Sequence, residues 1–338
     1  MAQLQYSQWP TGSTAIQCLA MKELLTTVPA YEVTNIAFDK RTLNRQMGAA
    51  IVLRRWLTPS VDATPAPEGT QKEARNLVPN DYTGTMLRYT ERIQVSRYDY
   101  DLHPWDAVKG GTQRMRELVV STRERVRANS MVGGPNRIYN SAAVTARNQV
   151  NGAISPGRLQ TVVRSLERAK AMLMTDVIGG QNKEGTAPVE GAYYAFTHSD
   201  LQPDLRALPG FQVVAQYPSG MTKNFREFGA FQNIRFFTTP EFPYYPGAGA
   251  ATATMLATGG NTDVYPIVVC GQEAFTSVKL NGDGREGFGN LDVKVLDQPD
   301  KYDPNNNWVD IVSSWYDLAM PTAYEWSWII EVGATANL

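Results

Sequence analysis

The chain has 338 residues, 43% of them hydrophobic and 19% charged, with a formal net charge of −1. So much apolar material excludes an intrinsically disordered protein, and so small a net charge excludes a global pull toward nucleic acid or membrane. The charged fraction lies below the usual ~25%, as in a chain whose surface is covered by partners or is rich in uncharged polar groups.

The length suggests roughly two domains. Residues 1–48 mix a short helical signal, CLAMKELL, with polar and aromatic stretches, and read as an extended arm lying on other structure. AAIVLRRWL, Ala49 to Leu57, is a strand candidate. It breaks at TPSVDATPAPEGT, a loop by composition. A second strand follows in GTMLRYTERIQVSRYDY, where Leu87, Tyr89, Ile93 and Val95 alternate with Arg88, Thr90, Arg92 and Gln94. The two runs are expected to pair as a long hairpin over 49–98. Such a unit has little core of its own and needs an outside surface to pack on. Pro104 opens a helix over 104–130, in which Val108, Met115, Leu118, Val119, Thr122 and Val126 share a face and Gly133-Gly134-Pro135 ends the run. Its other face carries Lys109, Arg114, Arg116, Arg123, Arg125 and Arg127 against Glu117 and Glu124. That stripe is a solvated face or a phosphate-facing one. Ser155-Pro156 starts a second helix with Leu159, Val162, Val163, Leu166, Ala169 and Leu173 on one side, expected to stop at Gly179-Gly180. Strands then dominate: AYYAFTH, FQVVAQY, NIRFFTT, YPIVVCG, LDVKVLD, WVDIVSS and YEWSWIIEV. The class is α+β.

No catalytic or metal constellation emerges. His198, Ser199 and Asp200 are sequence neighbours, which on a strand or a helix do not face one another, and no G-x-S-x-G elbow presents a nucleophile. The only other histidine, His103, has no metal-ligand spacing to it. DPNNNWVD sets Asp303, Asn305 and Asn307 at calcium-loop spacing, but Trp308 and Ser314 stand where that loop needs Gly and Glu. NGDGREGFG, from Asn281 to Gly289, lacks the Gly-Lys-Ser/Thr of a phosphate loop and reads as a hairpin tip. Cys18 and Cys270 make neither a disulfide framework nor a C-x-x-C pair, as expected for a reducing compartment. No apolar run is long enough for a membrane span and no leader pattern opens the chain, so a soluble, non-exported protein is expected. Neither an enzyme nor a cofactor is indicated. An arm, an unsupported hairpin and one dominant helix describe a building block.

The order of arm, hairpin, long basic helix, second helix and β-rich body resembles the Hong Kong 97-type fold of tailed-phage major capsid proteins. AFTHSDLQPDLRALPGFQVVAQY followed by REFGAFQNIRFFTT resembles the signature of the N-four-like phage capsid family, at His198, Asp200, Asp204, Leu205, Arg206, Glu227, Gly229, Arg235 and Phe236. VVCGQEAF, Val268 to Phe275, matches the later Gly-x-x-Ala-Phe step, while the family's Trp-Lys step reads Trp315-Tyr316 here. The resemblance implies an N-terminal arm (1–48), an extended hairpin loop (49–98), a peripheral domain with the spine helix (99–206), an axial domain (207–299) and strands returning to the peripheral domain (300–338). It implies self-assembly into hexamers and pentamers of an icosahedral shell around double-stranded DNA. The implied partners are portal, scaffold and decoration proteins, with no membrane. The implied location is the virion shell, assembled in the bacterial cytoplasm. On that reading Arg114, Arg116, Arg123, Arg125 and Arg127 face DNA, and His198, Asp200, Asp204 and Arg206 form structural or intersubunit pairs. A nanocompartment shell of the encapsulin type is the alternative, and a β-rich hydrolase or binding module a more distant one.

Overall fold

A computed structural model describes residues 32–44, 46–66, 68–69, 71–102, 107–175, 191–214, 226–280, 293–299 and 301–336. The start of the long helix at Pro104, His103, the glycine-rich tip at 281–289, the Gly179-Gly180 stop and the last three residues of FQVVAQY lie outside them, as does the arm before residue 32.

Strands are numbered β1 to β16 along the chain. One sheet joins β1 (Phe38–Leu43), β13 (Phe275–Leu280), β15 (Trp308–Pro321) and β14 (Val293–Leu296), with β4 (Leu87–Ser96) on the other edge of β15. β1 runs parallel to β13, and the remaining pairs are antiparallel. The second sheet has seven strands in the order β5 (Arg137–Tyr139), β16 (Ser327–Gly333), β12 (Val264–Cys270), β6 (Tyr193–His198), β9 (Ile234–Thr239), β8 (Glu227–Phe231) and β7 (Gln212–Val213). Among the described residues β2 (Ala50–Leu57) and β3 (Val78–Thr85) pair only with each other, and β10 (Ala257–Thr258) and β11 (Asn261–Thr262) form a short ribbon.

Burial explains the different textures of these strands. β6 and β12 are buried at every position, and their sequences, YYAFTH and VYPIVVC, show no alternation. Both sides of their sheet are covered, which removes the need for a polar face. On one side lies α3 (Pro156–Arg168), which presses Leu159, Val162 and Leu166 onto Ala195, Phe236, Ile267 and Ile330. On the other, Ala128, Met131 and Val132 meet Phe196, Phe237, Val268 and Ile329. These last helical residues end α2 (Ala107–Val132), which follows the short α1 (Arg97–Leu102) and is a rod of roughly 39 Å at 1.5 Å per residue. Its earlier turns press Met115 and Val119 against Val95, Ile311 and Trp315 of the five-stranded sheet. One helix thus spans both layers. By contrast β15, covered on one side, alternates strictly along most of its length.

Gly229 in β8 shows why the signature glycine stands where it does. A Cβ there would lie 2.6 Å from the Gln212 carbonyl oxygen and 2.5 Å from the Phe211 ring. The ladder with β9 also shifts register between Glu227 and Gly229.

Three expectations are corrected. The strand at 87–96 does not pair with 50–57. It pairs over ten residues with β15, and the partner of β2 is β3, which lies between the two predicted strand runs and overlaps the second only at Gly84-Thr85. The second helix ends at Arg168, not at Gly179-Gly180, with Lys170 in the left-handed region at φ 53°. The buried line on α2 swings from Met115 and Val119 onto Glu124, Arg127 and Met131, leaving Leu118 exposed.

Candidate functional site

Three regions carry the chemistry singled out in the sequence. The first is α2. Here the basic stripe divides. Arg127 is fully buried, with Nη1 2.6 Å from Glu32 Oε2 and Nη2 3.5 Å from Asp317 Oδ2. Arg123 reaches Glu32 at 3.5 Å and lies 5.5 Å from the centre of the Trp315 ring. Arg114 pairs with Glu117 at 2.7 Å. Arg116 and Arg125 are exposed. Arg127 therefore leaves the set of DNA-facing candidates, because its guanidinium is spent inside the subunit, and Arg123 is largely withdrawn with it.

Next to Arg127, Glu124 is buried and accepts from the Thr34 N–H at 3.1 Å and the Thr34 hydroxyl at 2.7 Å. Burial raises the Glu124 pKa to about 7, against the pull of the Thr34 donors and Arg127. Burial also pushes Glu32 upward, but the neighbouring guanidinium of Arg127, helped by Arg123 and Lys279, holds it below the usual carboxylate range. Burial and the two arginines bring Lys279 down to about 8. These groups, with Asp317, tie the segment at 32–34 to α2, β13 and β15. Sequence reading missed this cluster because its members are far apart along the chain; the odd presence of Glu124 on a buried helical line is the signal that could have found it.

The second region holds His198, Asp200, Asp204 and Arg206. The Asp200 N–H donates to His198 Nδ1 at 3.2 Å, closing a short turn after β6, and Tyr265 donates to Asp200 Oδ2 at 3.0 Å. Burial lowers the His198 pKa despite the adjacent Asp200, so the ring is neutral at pH 7. Asp204 accepts from the Thr335 N–H at 2.9 Å and hydroxyl at 2.6 Å, fixing the segment after β16. Arg206 does not pair with Asp204; it lies 4.9 Å over the Phe228 ring. Glu227 and Arg235 face each other at 3.7 Å with buried side chains. Asp303 accepts from the Trp308 N–H at 2.9 Å, so DPNNNWVD is a closed polar turn. No group of three or more metal-ligating side chains gathers among the described residues.

The third region is the β2–β3 hairpin and its loop at 58–77. Its root is held by Ile51, which packs against Leu43, Met86 and Val278. Farther out, Arg55 lies 4.0 Å over the Trp326 ring and 3.3 Å from Glu325. Tyr82 and Tyr324 are 6.3 Å apart, ring to ring. Arg54 and Asp81 form a two-pronged pair at 2.7 and 2.8 Å on the opposite face of the hairpin. Beyond that level the hairpin is open to solvent: Trp56 is 52% exposed, Val61 82%, Leu77 57% and Val78 54%. Isolated exposed apolar residues are ordinary, but a projecting row of them marks an interaction surface. No helix among the described residues is long and apolar enough to cross a membrane.

No protein-family model matches the chain. The chain is 26% identical over 187 residues to the major capsid protein of Pseudomonas phage KPP21, a match covering 50% of this chain and 46% of that one. It superposes on the capsid of Ralstonia phage GP4 with a TM-score of 0.65 at 12% identity, covering 89% of this chain and 88% of that one. For the capsid of cyanophage Pam1 the TM-score is 0.61 at 10% identity, covering 99% of each. The fold is the Hong Kong 97-type capsid fold.

Proposed function

We propose that the chain is a major capsid protein: a subunit that assembles with copies of itself into hexamers and pentamers of an icosahedral shell enclosing the double-stranded DNA of a tailed bacteriophage. The observation that carries this is the β2–β3 hairpin on a chain of this fold. Among the described residues it pairs with no other strand, and it exposes Trp56, Val61, Leu77 and Val78. A two-stranded unit with such a surface is marginal in water unless a neighbour covers it. A second copy of the chain supplies that cover, since closed shells repeat one interface many times. The five-stranded layer with α2 acts as the peripheral region and the seven-stranded layer as the axial one. Arg114, Arg116 and Arg125 are the candidates for a DNA-facing surface, and portal, scaffold and decoration proteins complete the particle. The virion shell is its location, reached after assembly in the bacterial cytoplasm. The similarity to a phage protein favours this reading over a nanocompartment shell.

Electron microscopy and sedimentation of the purified recombinant protein test it. The expected result is capsomers or closed shells. A well-folded, monodisperse species of 37.4 kDa at high concentration overturns it.

A further inference from the structure

We propose that Arg55, stacked on Trp326, sets the angle at which the hairpin leaves the subunit. This rests on the capsid reading for its consequence and on the geometry alone for the contact.

Alternate residues of the hairpin face opposite ways, and the register places Ile51, Leu53, Arg55, Asn80, Tyr82 and Gly84 toward the body of the subunit. Of these, Ile51 and Gly84 lie at the root, where Gly84 fits tightly against Met320 and Leu318. A root contact alone is a pivot. The second point of attachment is Arg55, whose guanidinium covers the Trp326 ring at 4.0 Å and reaches Glu325 at 3.3 Å. Asn80 opposite Arg55 donates to the Tyr82 hydroxyl at 2.8 Å, which keeps Tyr82 beside Tyr324.

The receiving surface is itself pinned. Trp326 donates its indole N–H to the Ala169 carbonyl at 3.1 Å, just past the end of α3, and its own carbonyl accepts from the Gly271 N–H at 3.0 Å. The turn that carries it, Tyr324–Trp326, connects β15 of one sheet to β16 of the other. Arg55 therefore reads the position of the junction between the two layers and passes it to the hairpin. A short lever fixed at two points has one angle; fixed at one point it has many. Arg suits this role better than an apolar residue, because a planar cation both stacks on an indole and hydrogen-bonds at its edge.

Two measurements test this. In unassembled subunits with Cys18→Ser, spin labels at Val78→Cys and Tyr302→Cys are expected to report one narrow distance, and Arg55→Ala is expected to broaden it. In assembly, Arg55→Ala is expected to lose the single particle diameter, giving mixed sizes or open sheets, while Arg55→Lys, which keeps a cation over the ring without the planar stack, restores it in part. The proposal is overturned if Arg55→Ala leaves the distance distribution unchanged, if Arg55→Lys is as disturbed as Arg55→Ala, or if Arg55→Ala lowers the subunit's melting temperature, which would make Arg55 an ordinary stabilising contact. Failure of the wild-type chain to form any shell sinks the capsid reading instead, and leaves the distance measurement to decide on Arg55.

Discussion

Burying Glu124 has a pH consequence whose sign is easily mistaken. Its carboxyl rises from the usual 4.5 to about 7 in the folded chain. The folded state thus holds the proton more tightly than the unfolded state does. The corresponding stability is fully present below about 4.5 and is lost as the pH rises through about 7. In the ionised form the group costs the fold roughly 3 kcal/mol relative to the protonated one. The Thr34 donors soften that cost, and the facing charges of Glu32, Arg123, Arg127, Lys279 and Asp317 remain in place. Glu124→Gln is therefore expected to flatten the fall in melting temperature between pH about 5 and about 7.5. Melting curves of wild type and variant at both values check it, and equal slopes refute it. Arg127 makes the complementary case. Removing it takes the paired guanidinium from buried Asp317 and leaves Glu32 with the more distant Arg123, and breaking a buried pair typically costs about 3–5 kcal/mol. Arg127→Ala is expected to unfold at markedly lower denaturant, whereas Arg116→Ala, at an exposed site, leaves the midpoint nearly unchanged.

Among elements, the hairpin separates folding from assembly. Deleting residues 62–76 and rejoining the strands removes no core side chain, because that whole stretch is exposed where described. The expected outcome is an unchanged circular dichroism spectrum and melting temperature together with loss of stable shells. Shells of normal size and stability would show that the loop makes no intersubunit contact. The same element shows what the sequence can convey. β4 and β15 were legible because one face is buried and the other wet, which writes a period of two into the residues. β6 and β12 were legible as short apolar runs. β3 was missed: VPNDYTGT carries Pro, Asn, Asp and Gly because its own subunit offers it little to pack on, so no apolar alternation is required. With β3 unseen, β4 became the obvious partner for β2, although its true partner lies more than 200 residues away. The end of α3 was misplaced for a related reason. Leu173 continued the apolar pattern, but a left-handed turn at Lys170, which no glycine announces, had already redirected the chain. At the site, signature residues such as Asp204 and Gly229 could be picked out, but not their roles. Thr335 and Gln212 are what give those roles meaning, and neither is a sequence neighbour of the residue it touches.

For the whole molecule, the proposed capsid role calls for weak, sequence-independent contacts to DNA on one side of the shell rather than a specific binding site. Arg116 and Arg125 are exposed on the same long helix, and neither is needed to fill the core. Arg116→Glu with Arg125→Glu is expected to leave empty shells of normal diameter while weakening DNA association, with a shallower dependence on salt as phosphate contacts are lost. Gel retardation of disassembled capsomers at several salt concentrations, beside micrographs of reassembled shells, checks both halves. Unchanged DNA affinity removes Arg116 and Arg125 as phosphate contacts.

The position of β15 in the five-stranded sheet also governs how the molecule is made. Arg92 of β4 forms its bond to Asp310 of β15 across 218 residues of chain. β1 is added only through β13, later still than the hairpin and α2 in order of synthesis. At a ribosomal rate of roughly 5–20 residues per second, β4 waits on the order of 10–40 s for its partner, with its pairing edge unmet. Contacts of such long sequence separation also slow folding itself. The apolar hairpin and the open strand are therefore presented to the cell before the sheet that anchors them exists. Synthesis of β15, not local helix formation, is the step after which the five-stranded sheet can close.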